Sequence, residues 1–154
     1  GGHKFAGGAT VAPEKLEEFE KELKRSFAKI PKSELKEPTL FIDGKMKLED
    51  VNLETYNIIE KFEPFGMGNP KPVFWFFNLE VLNVKKFGNG SLHLELSFKK
   101  SSGEIVKAIG FFMANTLAEN LKEGEKIDLL ASLDKNYYNG YNELRLRIVD
   151  FRGV

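Results

Sequence analysis

The side chains able to do chemistry gather at three places in the chain. His3 stands among glycines in GGHKFAGG, Lys85, Lys86 and Phe87 lead into His93 across Gly88-Asn89-Gly90, and Lys135, Tyr137, Tyr138 and Tyr141 surround Asn139-Gly140. Arg145 and Arg147 follow, alternating with Leu144 and Leu146. Adjacent glycines let a backbone approach an anion closely, and a helix N-terminus offers free N–H groups to phosphate oxygens. Gly1, Gly2 and His3 are therefore candidate phosphate contacts, although Gly-Gly-His at a chain end is also what cloning leaves behind. Flat rings stack on bases of any sequence while lysines track phosphates, so the other two groups suit an unpaired polynucleotide. The structural alternatives are that the tyrosines brace a hairpin, that the two arginines solubilise a strand, and that His93 is an ordinary surface histidine. Trp75, in VFWFF, reads as core.

Other chemistry is missing from the pattern. There is no cysteine, hence no thiol nucleophile, disulfide or thiolate metal site. His3 and His93 lie far apart, and no DxD, HxD, HExxH or GxSxG pattern occurs. The chain itself is expected to hold no metal. Its 154 residues carry 23 Lys+Arg against 23 Asp+Glu, which excludes binding to polyanions by bulk charge but not through a local basic groove. Hydrophobic residues at 42% and charged residues at 30% are globular values. The longest apolar stretch, residues 108–114, is too short to span a bilayer. With no export signal either, a cytoplasmic setting with no membrane partner is expected.

The elements that must position these groups follow from hydrophobic period. Residues 3–6 allow one helical turn and residues 9–12 a short strand. Pro13 suits the first position of a helix whose Leu16, Phe19, Leu23, Phe27 and Ile30 form one apolar stripe, ended by Pro31. Residues 33–72 read as a linker with a short strand at 40–42, a turn at Asp43-Gly44, and a helix capped by Asn52 that carries Leu53, Tyr56, Ile59 and Phe62. A Gly- and Pro-rich loop, FGMGNPKP, closes it.

Beyond Pro72 the period becomes 2. Strands are expected over 73–86, 92–98, 104–112, 127–133 and 144–151, the last with a bulge near Val149, and a helix over 113–121. Three strands, a helix, then two strands is the element order of the five-stranded OB barrel. The fold class is thus α+β, with the barrel at 73–154 behind a helical or mixed segment. In such a barrel a ligand lies across strands two and three, flanked by the loops carrying Lys85–Phe87 and Lys135–Tyr141.

Several stretches resemble one family. GGHKFAGG is similar to the GGHxxAAG motif of DHHA1 domains, the accessory domains of the DHH phosphoesterase superfamily. EPFGMGNPKPVF, AIGFF, LKEGEKIDLLASL and YYNGYNELRLRIVDFR resemble the junction and OB domain of RecJ-type single-stranded-DNA-specific 5′→3′ exonucleases. The resemblance covers essentially the whole chain, with Gly7 departing from the usual second Ala. It implies that residues 1–32 are the end of a DHHA1 domain and that a DHH domain with manganese or magnesium ligands precedes it. It further implies that Gly1, Gly2 and His3 contact the scissile phosphate, while the barrel holds single-stranded DNA. A single-strand-binding protein or a helicase would be the protein partner. The fragment alone is expected to bind single strands weakly and cleave nothing. Two rivals stand beside this: an OB adaptor that binds protein, and a DHH-superfamily oligoribonuclease fragment.

Overall fold

The computed structural model describes residues 2–3, 6–31, 39–114, 118, 120–137 and 143–154. They fall into two compact units, Gly1–Leu40 and Phe41–Val154.

In the first unit β1 (Gly2–His3) and β2 (Ala6–Gly7) pair antiparallel, Gly2 with Gly7 and His3 with Ala6. The helical turn expected over residues 3–6 lies partly outside the described residues, and its two ends, His3 and Ala6, are paired strand residues. No strand forms at 9–12. Pro13–Lys15 is a 3-10 turn leading into α1 (Leu16–Ala28). Glu17 and Glu18 in its first turn and Arg25 in its last complement the helix dipole. The apolar stripe forms as its spacing predicts. None of α1 is buried, and Leu23 and Phe27 stay 59% and 61% exposed.

The second unit begins well before the composition shift at Pro72. β3 (Gly44–Lys45) runs parallel to the start of β4 (Phe74–Glu80), pairing Gly44 with Phe74 and Lys45 with Trp75. The strand expected at 40–42 has moved to this position because Asp43 is anchored twice to Val73. Its N–H donates to the Val73 carbonyl at 2.9 Å, and its carboxylate accepts from the Val73 N–H at 2.8 Å. α2 (Leu53–Glu60) is capped as predicted, the Asn52 side chain accepting from Thr55 N–H at 2.9 Å. Its Tyr56 and Ile59 enter the core beside Leu48 and Val51. Lys100, itself buried, donates to the Val51 carbonyl at 2.7 Å. The segment expected as linker is thus, from Phe41 on, a packed part of the barrel unit.

The barrel closes through one interrupted strand. The run expected over 73–86 splits into β4 and β5 (Asn83–Phe87). At the break, Val81 exchanges hydrogen bonds with Glu125 and Gly124 while Leu82 donates to Ser97. The chain so passes from pairing β8 (Lys126–Asn136) to pairing β6 (His93–Lys99). With β7 (Ile105–Gly110) and β9 (Glu143–Gly153), the order is β3-β4-β8-β9-β7-β6-β5. Among the described residues only β3–β4 and β7–β9 pair in parallel. This is the OB arrangement, and closure removes the exposed edges an open sheet would keep.

Alternation decides which side chains fill the barrel. Leu94, Leu96 and Phe98 of β6 are fully buried, as are Ile127 and Leu129 of β8 and Leu146 of β9. The bulge in β9 lies where expected: Leu130 faces Asp150 and Ala131 faces Ile148, leaving Val149 unpaired. Trp75 is half-buried rather than core, on the outer face with the Lys45 ammonium 5.1 Å from its ring. The helix expected over 113–121 falls partly outside the described residues. Within that span, Ala118 N–H donates to the Met113 carbonyl at 3.4 Å.

Candidate nucleic-acid interface

The outer face of the barrel arranges the predicted residues in rows. Register places Lys85 of β5 opposite Glu95 of β6, Glu95 opposite Ile109 of β7, Ile109 beside Arg147 of β9, and Arg147 opposite Ser132 of β8. Lys85 is exposed at one end of this row, and Arg147 is exposed toward the other. Glu95 sits between them, so the row is mixed in charge rather than basic throughout. Lys86, next to Lys85 but paired with Leu94, belongs to the alternate face of β5. The two lysines therefore leave the strand on opposite sides.

An aromatic cluster adjoins the row. Phe87 faces His93 across the β5–β6 ladder, their ring centroids 5.3 Å apart. His93 also meets Phe111 at 5.0 Å and Phe112 at 4.7 Å, all three contacts edge-to-face. The Arg147 guanidinium lies 3.9 Å from the Phe111 ring centroid. Partial desolvation of that head group lowers its pKa from the ordinary value, an effect that leaves an arginine charged at neutral pH. In the sequence Phe111 and Phe112 end the strand expected over 104–112 and close the AIGFF stretch that resembles the family, with no site role attached to either. The overlooked signal was a pair of bulky aromatics directly after Gly110, where the strand stops.

Phe112 stands out twice. It is 69% exposed, and its φ of +59° lies in the left-handed region. For a non-glycine L-residue that conformation costs roughly 1–2 kcal/mol.

A second group lies at the far end of β8. The Lys135 ammonium sits 5.7 Å from the Tyr56 ring and 5.2 Å from the Tyr137 ring. Tyr137 is 61% exposed, whereas Tyr56 is buried and its phenol is pushed up, chiefly by burial and then by Glu60. Arg145 is engaged elsewhere: its Nε donates to Asp134 at 2.9 Å, and Lys71 approaches the same carboxylate at 3.7 Å. Arg145 and Arg147 therefore differ in role despite their matched spacing, one paired with a carboxylate and the other stacked on a ring. Tyr138, Tyr141, the Asn139-Gly140 turn, Gly1 and the His3 side chain lie outside the described residues. Among the described residues no group of three or more His, Asp or Glu side chains converges.

Comparison with known proteins decides the family. Residues 42–150 match the model of the RecJ OB domain. The chain belongs to the RecJ OB domain family. RecJ of Bacillus subtilis, a single-stranded-DNA-specific exonuclease, is 26% identical over 150 residues, which is 97% of this chain and 19% of that protein. Its counterpart in Haemophilus influenzae is 26% identical over 152 residues, 98% of this chain and 26% of that protein. The chain thus spans about a fifth to a quarter of the RecJ proteins it matches. The crystal structure of Thermus thermophilus RecJ with Mn2+ superposes with a TM-score of 0.59 at 21% identity, over 99% of this chain and 21% of that one. That match bears on fold alone, and it agrees with the RecJ OB topology built above from register.

Proposed function

We propose that this chain is the strand-gripping part of a 5′→3′ exonuclease acting on single-stranded DNA, in DNA repair and recombination. The barrel binds the unpaired strand across β6 and β7. Lys85 and Arg147 take phosphates, Phe87 and Tyr137 present rings to bases, and Lys135 adds charge at the second pole. The supporting observation is the row from Lys85 to Arg147 alongside the Phe87–His93–Phe111 cluster, which places cations and flat rings on one barrel face. Gly1, Gly2 and His3 contact the scissile phosphate in this reading. Manganese or magnesium, held by a DHH domain of a longer protein, supplies the hydrolysis. A single-strand-binding protein or a helicase is the protein partner.

The test is a salt titration of the 154-residue chain against an oligothymidine strand. Affinity should fall with salt at a log–log slope of about −0.7 per phosphate contacted. The purified chain should cut nothing with manganese present. Binding that ignores salt, or robust cleavage by this chain, overturns the reading; the former would favour a protein-binding adaptor.

A further inference from the structure

The geometry points to Phe112 as a base-stacking residue of this interface, and to His93 as the positioning residue that presents it rather than a contact to DNA. This rests on the proposed single-strand grip and names how its ring platform is built.

Phe112 carries two costs at once: a large apolar ring left in water and a left-handed backbone that side chains disfavour. Such an outlier persists only where its surroundings hold it, and it argues toward function rather than from it. The Phe112 N–H donates to His93 Nδ1 at 3.2 Å. His93 Nδ1 is thereby engaged as an acceptor, which leaves Nε2 as the ring's remaining polar atom. The ring itself has little freedom, wedged against Phe87, Phe111 and Phe112. Gly88 completes the wedge: a Cβ there would stand 2.5 Å from His93 Cδ2, and its φ of +82° already favours glycine. Where the chain leaves β7 for Phe112, a Cβ on Gly110 would meet Met113 Sδ at 2.7 Å, so glycine there leaves room for the Met113 side chain.

His93 thus spends its acceptor on the backbone of Phe112 and packs edge-to-face with three phenyl rings. A phosphate contact by this imidazole would have to come from Nε2 alone. Phe112, in contrast, offers an open ring beside Arg147 stacked on Phe111, which is the pairing a base and its phosphate need.

The experiment uses the full 154-residue chain and an oligothymidine strand carrying one 2-aminopurine, whose fluorescence falls when it stacks. Phe112→Ala should weaken binding roughly 5- to 100-fold and abolish the quenching, with the salt slope unchanged because no phosphate contact is lost. Phe112→Tyr should retain both. His93→Phe keeps a ring but removes the acceptor, and should lose affinity and quenching at an unchanged slope. His93→Asn, whose Oδ1 falls near the place of Nδ1, should restore part of the loss. In a Phe112→Ala background, His93→Phe should cost nothing more. Thermal melts of each variant establish that it is folded. Wild-type binding with an indifferent Phe112→Ala overturns the stacking role, and an additive His93 effect or a reduced slope overturns the positioning role. Absence of salt-dependent binding in the wild-type chain instead removes the strand grip on which both rest.

Discussion

The Arg147 guanidinium rests 3.9 Å from the centre of the Phe111 ring, bringing the last strand of the barrel onto the residue that follows its third. An arginine stacked this way keeps its planar donors free for a phosphate while its position is set by the ring, and the stack contributes about 0.5–1 kcal/mol at an exposed site. Arg147→Ala should therefore shrink the salt slope of single-strand binding by about 0.7, one phosphate. Arg147→Lys should recover the slope without the full affinity. Anisotropy titrations at several salt concentrations read both quantities, and an unaltered slope in Arg147→Ala would remove this residue from the interface.

Tyr56 and Tyr137 flank the same ammonium but should answer differently to truncation. Tyr137 is exposed, so Tyr137→Ala should leave the melting temperature in place and weaken DNA binding. Tyr56 is 7% exposed within the core, and Tyr56→Ala should destabilise the fold by about 3 kcal/mol. Chemical denaturation and DNA titration of both variants separate the two effects. Equal stability losses would mean that Tyr137 braces the barrel end.

Lys100 ties the strand β6 side of the barrel to the segment ahead of α2 through the Val51 carbonyl. Lys100→Ala leaves that acceptor without its buried donor and should cost about 1–3 kcal/mol. A chain beginning at Phe41 should unfold cooperatively like the whole, whereas one beginning at Val73 lacks Leu48, Val51, Tyr56 and Ile59 of the core and should not. Near-ultraviolet circular dichroism and denaturant melts compare the two. A cooperative transition in the shorter chain would restore the boundary suggested by composition.

Asp128 accepts from Asn78 N–H at 3.0 Å and from Arg152 at 3.0 Å. These bonds hold its carboxyl below the ordinary value of 3.8, the Asn78 N–H first among the causes. A depressed folded pKa contributes stability that is present above the unfolded value and lost as pH falls through the folded one. Asp128→Ala should thus be less stable than wild type at neutral pH, and the gap should narrow once pH drops below 3.8. Asn78, at φ +55°, loses its tether in the variant and adds to the neutral-pH effect. A gap that stays constant from neutral pH to strong acid would show that this carboxylate is not the cause.

Hydrophobic period and turn residues were enough to read α1, the Asn52 cap, the alternating strands β6, β8 and β9, the bulge at Val149 and the OB order. Each depends on neighbours within a few residues, where one chain segment meets one face of the core. The grouping of Lys85, Phe87 and His93 was legible for the same reason, because one turn joins them. Other features depend on partners distant in sequence. Asp43 chooses its strand through Val73, Val81 hands the first strand from β8 to β6, and Arg145 is neutralised by Asp134 while Arg147 stacks on Phe111. The left-handed turn at Phe112 belongs with them, since it is held by a histidine from another strand. Local pattern determines which side of a strand is wet; only closure of the barrel decides which wet residues become neighbours.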